Sequence, residues 1–287
     1  MITAINYIAT LERPELEPYR TLRRPIEHLE QGIFVAEGEK VIVRLLESSL
    51  TVRSVLLSQD WFDIYRPLIE QNPNAIEVFI GEKRLLETIV GHVLHQSIMG
   101  LATVPKPILS HELLSGNDNL AKISEHKNSV HFRKVNTLYV VVDGITNAEN
   151  MGVIVRNCVC FNVDALLVLS TSCDPYLRRS VRNSMGNIFQ LPIVYIHNTT
   201  QELQRFKEHG FKIYGAHPHT KSIDIQKAQI PNKCCIVLGA EGHGISEEVL
   251  ALCDEFVMIP MKAGVDSLNV ASASAVMLWE VQKKMKS

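Results

Sequence analysis

Between residues 135 and 287 the chain alternates two hydrophobic patterns. Short unbroken apolar runs, such as 138–142 and 235–238, are separated by stretches in which apolar residues return every three or four positions. The first pattern predicts strands at 137–143, 165–169, 193–196, 211–214, 234–238 and 256–259. The second predicts helices at 151–161, 175–185, 200–209, 247–252 and 268–284. Strands that are apolar throughout suit a parallel sheet covered on both faces. In such sheets ligands bind at the loops beyond the carboxyl ends of the strands, so those loops are where functional residues are expected.

Residues 1–104 carry the same rhythm on a smaller scale. Strands are expected at 34–36, 52–57, 76–80 and 95–104, and helices at 18–31, 37–46, 61–71 and 82–89, which describes a small α/β domain. Residues 105–134 lose the apolar period and collect Pro105, Pro107, Gly116, Asn117, Asp118 and Asn119. This marks a linker with one short helix at 110–114. The expected organisation is an N-terminal domain over 1–104, a linker over 105–134 and a second domain over 135–287.

Three strand-to-helix loops in the second domain hold the candidate chemistry. The first runs from Asp143 to Arg156 and contains Asn147, Asn150 and Gly152. Arg156 has Val153 and Val155 beside it, and an arginine among apolar neighbours calls for a carboxylate or phosphate partner. The second runs from Leu238 to Ser246, with Gly239, Gly242 and Gly244 allowing close backbone approach and Glu241 set among them. It matches neither the dinucleotide fingerprint nor the P-loop, which speaks against a nucleotide-dependent oxidoreductase. The third follows the strand ending at Ile259. Met261 leads into Gly264, then Asp266 or Ser267 as helix cap, with Leu268, Ala271, Ala275, Leu278 and Trp279 on the helix's apolar face. Free amides at that helix start, with Ser267 and Asn269 beside apolar Met261 and Leu268, suit a small ligand with an apolar body and polar edges.

Composition narrows the classes. The chain has 287 residues, 46% hydrophobic and 21% charged, an ordinary globular balance with room for two cores. A net charge of −2 excludes a generally basic nucleic-acid coat and leaves only local basic patches. No run of about 18 apolar residues occurs, and the polar, mixed-charge residues 1–24 lack the apolar core of a signal peptide. A cytoplasmic protein with no membrane partner is expected. The six cysteines form no CxxC pair and read as reduced thiols. His217 and His219 are metal-ligand types, but nothing near them in sequence completes a site, so no metal is expected.

Taken together, the three loops resemble the motifs of the SpoU (TrmH-like) family of RNA ribose 2′-O-methyltransferases, within the SPOUT class. Asn150, Gly152 and Arg156 match the first motif, Leu238 to Ser246 the second, and Ile259 to Met261 with Ser267 to Asn269 the third. Ala148 departs from the proline usual there. Residues 34–40, with His95 and Gln96, resemble the ribosomal-protein-L30e-like RNA-binding domain that many members carry. The resemblance implies a parallel sheet with a C-terminal deep trefoil knot, a homodimer with the last helix in the interface, and S-adenosylmethionine as methyl donor. It implies donor binding by Leu238, Gly239, Gly242, Ile259, Met261 and Leu268, and catalysis by Asn150, Arg156, Glu241, Ser267 and Asn269. RNA is the implied partner, large-subunit rRNA before tRNA, with Arg178, Arg179 and Arg182, and secondarily Arg20, Arg23 and Arg24, as phosphate contacts. The alternative is a catalytically inactive RNA-binding protein of the same fold.

Overall fold

Two sheets organise the chain in the computed structural model, which describes residues 1–90, 97–115, 136–218, 222–262, 264 and 267–285. In chain order the elements begin with β1 (Ile2–Ile8), α1 (Glu17–Arg20), α2 (Pro25–Glu30), β2 (Ile33–Glu37), α3 (Glu39–Glu47) and β3 (Val52–Leu57). They continue with α4 (Gln59–Gln71), β4 (Ile76–Gly81), α5 (Lys83–Val90), β5 (Ile98–Thr103), α6 (Ser110–Ser115), β6 (Thr137–Asp143), α7 (Ala148–Cys160), β7 (Ala165–Leu169) and α8 (Arg178–Asn183). The last are β8 (Ile193–Ile196), α9 (Thr199–Glu208), β9 (Lys212–Ala216), β10 (Ile223–Asp224), β11 (Lys233–Gly239), α10 (Glu247–Leu250), β12 (Glu255–Met258) and α11 (Val270–Met285). The chain divides into two compact units: Met1–Lys106 with Tyr176–Phe189, and Pro107–Pro175 with Gln190–Ser287. Most of the expected linker, 116–134, lies outside the described residues, as do His92, His95, Gln96, His219 and Asp266.

The first unit holds a five-stranded sheet in the order β1-β4-β3-β5-β2. β1, β4 and β3 run parallel, and β5 is antiparallel to both β3 and β2. Ile8, Leu16, Tyr19, Leu56, Phe79 and Met99 lie in its core. The apolar pattern does not announce β1, because this edge strand pairs with β4 alone and leaves Ile5 and Tyr7 exposed. The helix expected over 18–31 is two short helices, since Pro25 has no amide hydrogen to continue one turn into the next and instead opens α2.

The segment Tyr176–Phe189 belongs to this unit, which departs from an uninterrupted domain over 135–287. Phe34 of β2 packs against Tyr176 and Phe189, with ring centroids 5.3 and 5.8 Å apart. At the end of β2 the buried Glu37 carboxylate accepts hydrogen bonds from Arg178 and, at 3.1 Å, from Arg182. Arg44 of α3 donates to the Met185 carbonyl at 2.6 Å and to Asn187 at 3.1 Å. Glu37→Ala would leave the Arg178 guanidinium, only 22% exposed, without its carboxylate. The expected loss of stability is about 3 kcal/mol, the low end for a broken buried pair, because Arg182 is 56% exposed and can turn to water. Urea unfolding of the variant checks this, and an unchanged midpoint would exclude the pair as a stabilising contact.

The second unit holds a seven-stranded sheet in the order β10-β12-β9-β11-β6-β7-β8, with every pairing parallel. Its inner strands are buried along their length, as the unbroken apolar runs require: Val141, Leu167, Val194, Ile213 and Val237 meet Leu203 and Phe206 of α9 in one cluster. β7 and β8 extend the sheet on one side of β6, whereas β11 enters on the other side, between β6 and β9. That order brings the carboxyl ends of β6, β11, β9 and β12 side by side. Burial pushes the thiols of Cys158, Cys234 and Cys235 up, Cys234 to about 12, so none of the three is a ready nucleophile. Among the described residues, no helix is long and apolar enough to cross a membrane.

Candidate active site

Asp143, the last residue of β6, ties the neighbouring loops together. Its buried carboxylate accepts from Thr171 Oγ1 at 2.8 Å and from the Ser246 amide at 2.7 Å. Asp143→Ala would strand both donors, one of them a main-chain amide of the glycine-rich loop. The expected loss is about 2 kcal/mol, read as a lower melting temperature together with faster amide exchange at Ser246. Unchanged exchange there would remove Asp143 as the loop's anchor.

The glycine-rich loop folds back at once after β11. Ala240 and Gly244 exchange two main-chain hydrogen bonds of 2.9 Å each. Gly244 takes a left-handed φ of +70° that disfavours a side chain. A Cβ placed on Gly239 would stand 2.3 Å from the Gly244 carbonyl carbon. The turn therefore closes against bare backbone.

Three side chains from the three loops meet beside this turn. Asn147 caps α7, accepting from the amides of Glu149 and Asn150. That fixes Asn150 in the first turn, where its Nδ2 donates to Glu241 Oε1 at 3.0 Å. Asn269 Nδ2 donates to Asn150 Oδ1 at 3.1 Å and to Glu241 Oε1 at 2.5 Å. Asn269 Oδ1 accepts from the Ala271 and Ser272 amides, so Asn269 caps α11, not Ser267. The helix accordingly begins at Val270 and its buried face is Val270, Ala271, Ser274, Met277, Leu278, Val281 and Met285. Leu268 precedes the helix and Trp279 is 56% exposed, with its ring edge-on to Phe161. Helix α11 meets α7 at Ala271 and Ser274. Both accept from Asn157 of α7, at 2.9 and 2.8 Å.

A cavity of about 370 Å³ opens next to this cluster. Leu238, Gly239, Gly242, Ile259, Met261 and Leu268 all line it, and so do Glu241 and Ser267. Asn150 and Asn269 reach it through Glu241. Arg156 is exposed on α7 and does not line it. Among the described residues Arg156 makes no hydrogen bond or ion pair. Of the arginines expected to meet RNA, Arg178 and Arg182 hold Glu37, Arg20 pairs with Glu12 at 2.8 Å and Arg24 with Glu27 at 3.6 Å. Arg23 and Arg179 are exposed with no ion pair among the described residues.

The cavity also takes Ala216, His217 and Pro218 from the end of β9, and His243 from the glycine-rich loop. The sequence pattern does not assign the β9 residues to it, because only the strand order puts β9 between β11 and β12. Glu241 is the one charged side chain in the described lining, amid Leu238, Met258, Ile259, Met261 and Met277. A wall that is apolar, carries a carboxylate and lacks lysine and arginine suits a neutral or cationic ligand and opposes a polyphosphate.

Fold and site together define an α/β enzyme with a small-ligand pocket at the carboxyl ends of a parallel sheet. The SpoU rRNA Methylase family model matches residues 137–279, and the chain belongs to this family of RNA methyltransferases. An uncharacterized tRNA/rRNA methyltransferase of Mycobacterium bovis is 29% identical over 280 residues, covering 93% of this chain and 88% of the relative. A 23S rRNA (guanosine-2′-O-)-methyltransferase, RlmB, of Vibrio vulnificus is 30% identical over 147 residues, 51% of this chain and 59% of that one. The AdoMet-bound rRNA methyltransferase of Sinorhizobium meliloti superposes with a TM-score of 0.78 at 19% identity, covering 97% of this chain and 98% of that one. The fold is the α/β parallel sheet of the SPOUT class.

Proposed function

We propose that this protein methylates a ribose 2′-OH in structured RNA using S-adenosylmethionine, with large-subunit rRNA as the first substrate class and tRNA as the second. The observation that carries the reading is the junction of the cavity with the Asn150–Glu241–Asn269 cluster. The cavity's apolar wall, its single carboxylate and the bare backbone at Gly239 fit a sulfonium nucleoside. When bound, the donor supplies an electrophilic methyl group. Leu238, Gly239, Gly242, Ile259, Met261 and Leu268 would hold it largely through main chain and apolar contact.

The chain's own task is to orient a hydroxyl and ease loss of its proton. Guanidinium stays charged in proteins, so Arg156 is assigned as a clamp on the adjacent phosphate that stabilises developing alkoxide, not as a base. Glu241, held by both asparagine amides, faces the space between the cavity and α7 and orients the ribose. Ser267 hydrogen-bonds the reacting nucleotide at the cavity rim. Residues 1–104, L30e-like in sequence, serve as the RNA-binding domain, with Arg23 and, on α8, Arg179 as exposed phosphate contacts. The reading includes the deep trefoil knot at the C-terminal loops and a homodimer using α11, whose exposed Val276 and Trp279 are suited to a partner surface.

Ribose-methylation mapping of rRNA and tRNA, comparing cells with and without the protein, tests the whole reading. One site lost in the deletion and restored by wild type but not by Arg156→Ala is the expected result. An unchanged map would instead favour an RNA-binding protein without catalysis.

A further inference from the structure

We propose that His217 is a donor-binding residue that recognises the adenosine of the methyl donor; this rests on the methyltransferase reading above. His217 directly follows β9, the strand between β11 and β12, so it leaves the sheet between the two loops that form the cavity. Its backbone is fixed on both sides. The amide donates to the Val257 carbonyl at 3.0 Å, and the carbonyl accepts from Ser222 Oγ at 2.6 Å. Its ring meets Phe256 edge-on, with centroids 6.3 Å apart. Phe256 has that position because residue 215 is glycine: a Cβ there would stand 2.9 Å from Phe256 Cδ1. On its other side, Nε2 lies 3.8 Å from where a Cβ on Gly244 would be. The half-buried imidazole is thus held between β12 and the glycine-rich turn, and it lines the cavity.

Position then says what it meets. β11 separates β9 from β6, and β6 leads into α7 with Asn150 and Arg156. His217 therefore lies across β11 from the methyl-transfer residues and faces a part of the donor remote from the methyl. Its neighbours in the wall are Pro218, Met258 and Ile259, flat and apolar surroundings that accept a purine ring. The Nε2 of an imidazole there can donate to or accept from the purine's polar edge, according to its tautomer. Among the described residues, no group of three or more His, Cys, Asp or Glu is placed to hold an ion.

Isothermal titration of the full chain with S-adenosylhomocysteine and with 5′-methylthioadenosine tests this, because the second ligand keeps the adenosine and lacks the amino-acid end. His217→Ala should weaken both by about tenfold, the worth of one hydrogen bond in a desolvated site. His217→Phe keeps a ring against Phe256 and should show the same loss with an unchanged melting temperature. Binding of methylthioadenosine that is unaffected in either variant overturns the assignment, as does a His217→Phe protein that binds both ligands like wild type. Wild type that binds neither nucleoside overturns the methyl-donor reading and His217 with it, whereas wild-type binding with no change in the variants overturns His217 alone.

Discussion

Arg156→Ala is expected to slow single-turnover methyl transfer by about 10²–10³-fold, the cost of removing one charge-stabilising donor from a transition state, while S-adenosylhomocysteine binds as tightly as before. The split follows from placement. Arg156 is exposed on α7 and does not line the cavity, so the donor site should not register its loss. Asn150, six residues earlier on α7, is tied to Glu241 and Asn269, so the proposed clamp stands on an anchored helix. Arg156→Lys keeps the charge but loses the planar fork that grips a phosphate and an oxyanion together, and should recover only part of the rate. A rapid-quench assay with saturating donor separates the two quantities. Wild-type turnover in Arg156→Ala would remove Arg156 from the chemistry. A rate loss that tracks weaker donor binding would move it into the pocket.

How far the sequence discloses this site depends on the range of the contact. Asn147, Asn150, Glu241 and Asn269 stand in strand-to-helix loops that local pattern identifies, and a loop at the carboxyl end of a parallel strand is already a ligand position. The meeting of those loops is another matter. It depends on β11 inserting between β6 and β9, a choice made by whole-sheet packing, so Ala216, His217 and Pro218 carry no local sign that they share a cavity with Met261. The same limit applies to Tyr176–Phe189. Its arginines read as phosphate contacts, yet the acid that holds two of them, Glu37, is 141 and 145 positions away. Helix α11 starts later than the expected 268 for a local reason: Ser267 and Asn269 are both good caps, and Asn269 takes the role while also donating to Glu241.

That double use of Asn269 couples helix capping to site geometry, and among the described residues the charge at Glu241 is held by amides with no cation partner. Two amide donors fix the carboxylate's direction while leaving its charge in place. A lysine or arginine partner would have fixed it equally well and cancelled the field that a sulfonium ligand needs.

The second large effect is expected at Gly239. In Gly239→Ala the new methyl would stand 2.3 Å from the Gly244 carbonyl carbon, 2.4 Å from the Ile245 nitrogen and 2.5 Å from the Gly244 oxygen. All three are backbone atoms, so no rotamer change relieves the contact and the turn itself must open. Opening it strains the paired hydrogen bonds of Ala240 with Gly244 and pulls Ser246 from Asp143. Overpacking of this kind costs about 1–3 kcal/mol of stability. Donor affinity should fall by about 100-fold, the worth of about two hydrogen bonds, as the main-chain groups that would hold the ligand lose their alignment. Gly242→Ala is the stability comparison, since a Cβ there meets nothing within 4 Å and the melting temperature should hold. Thermal unfolding of both variants, with calorimetric titration of Gly239→Ala, decides the matter. If Gly239→Ala melts and binds like wild type, the turn is plastic, and its closed backbone is not what shapes the donor site.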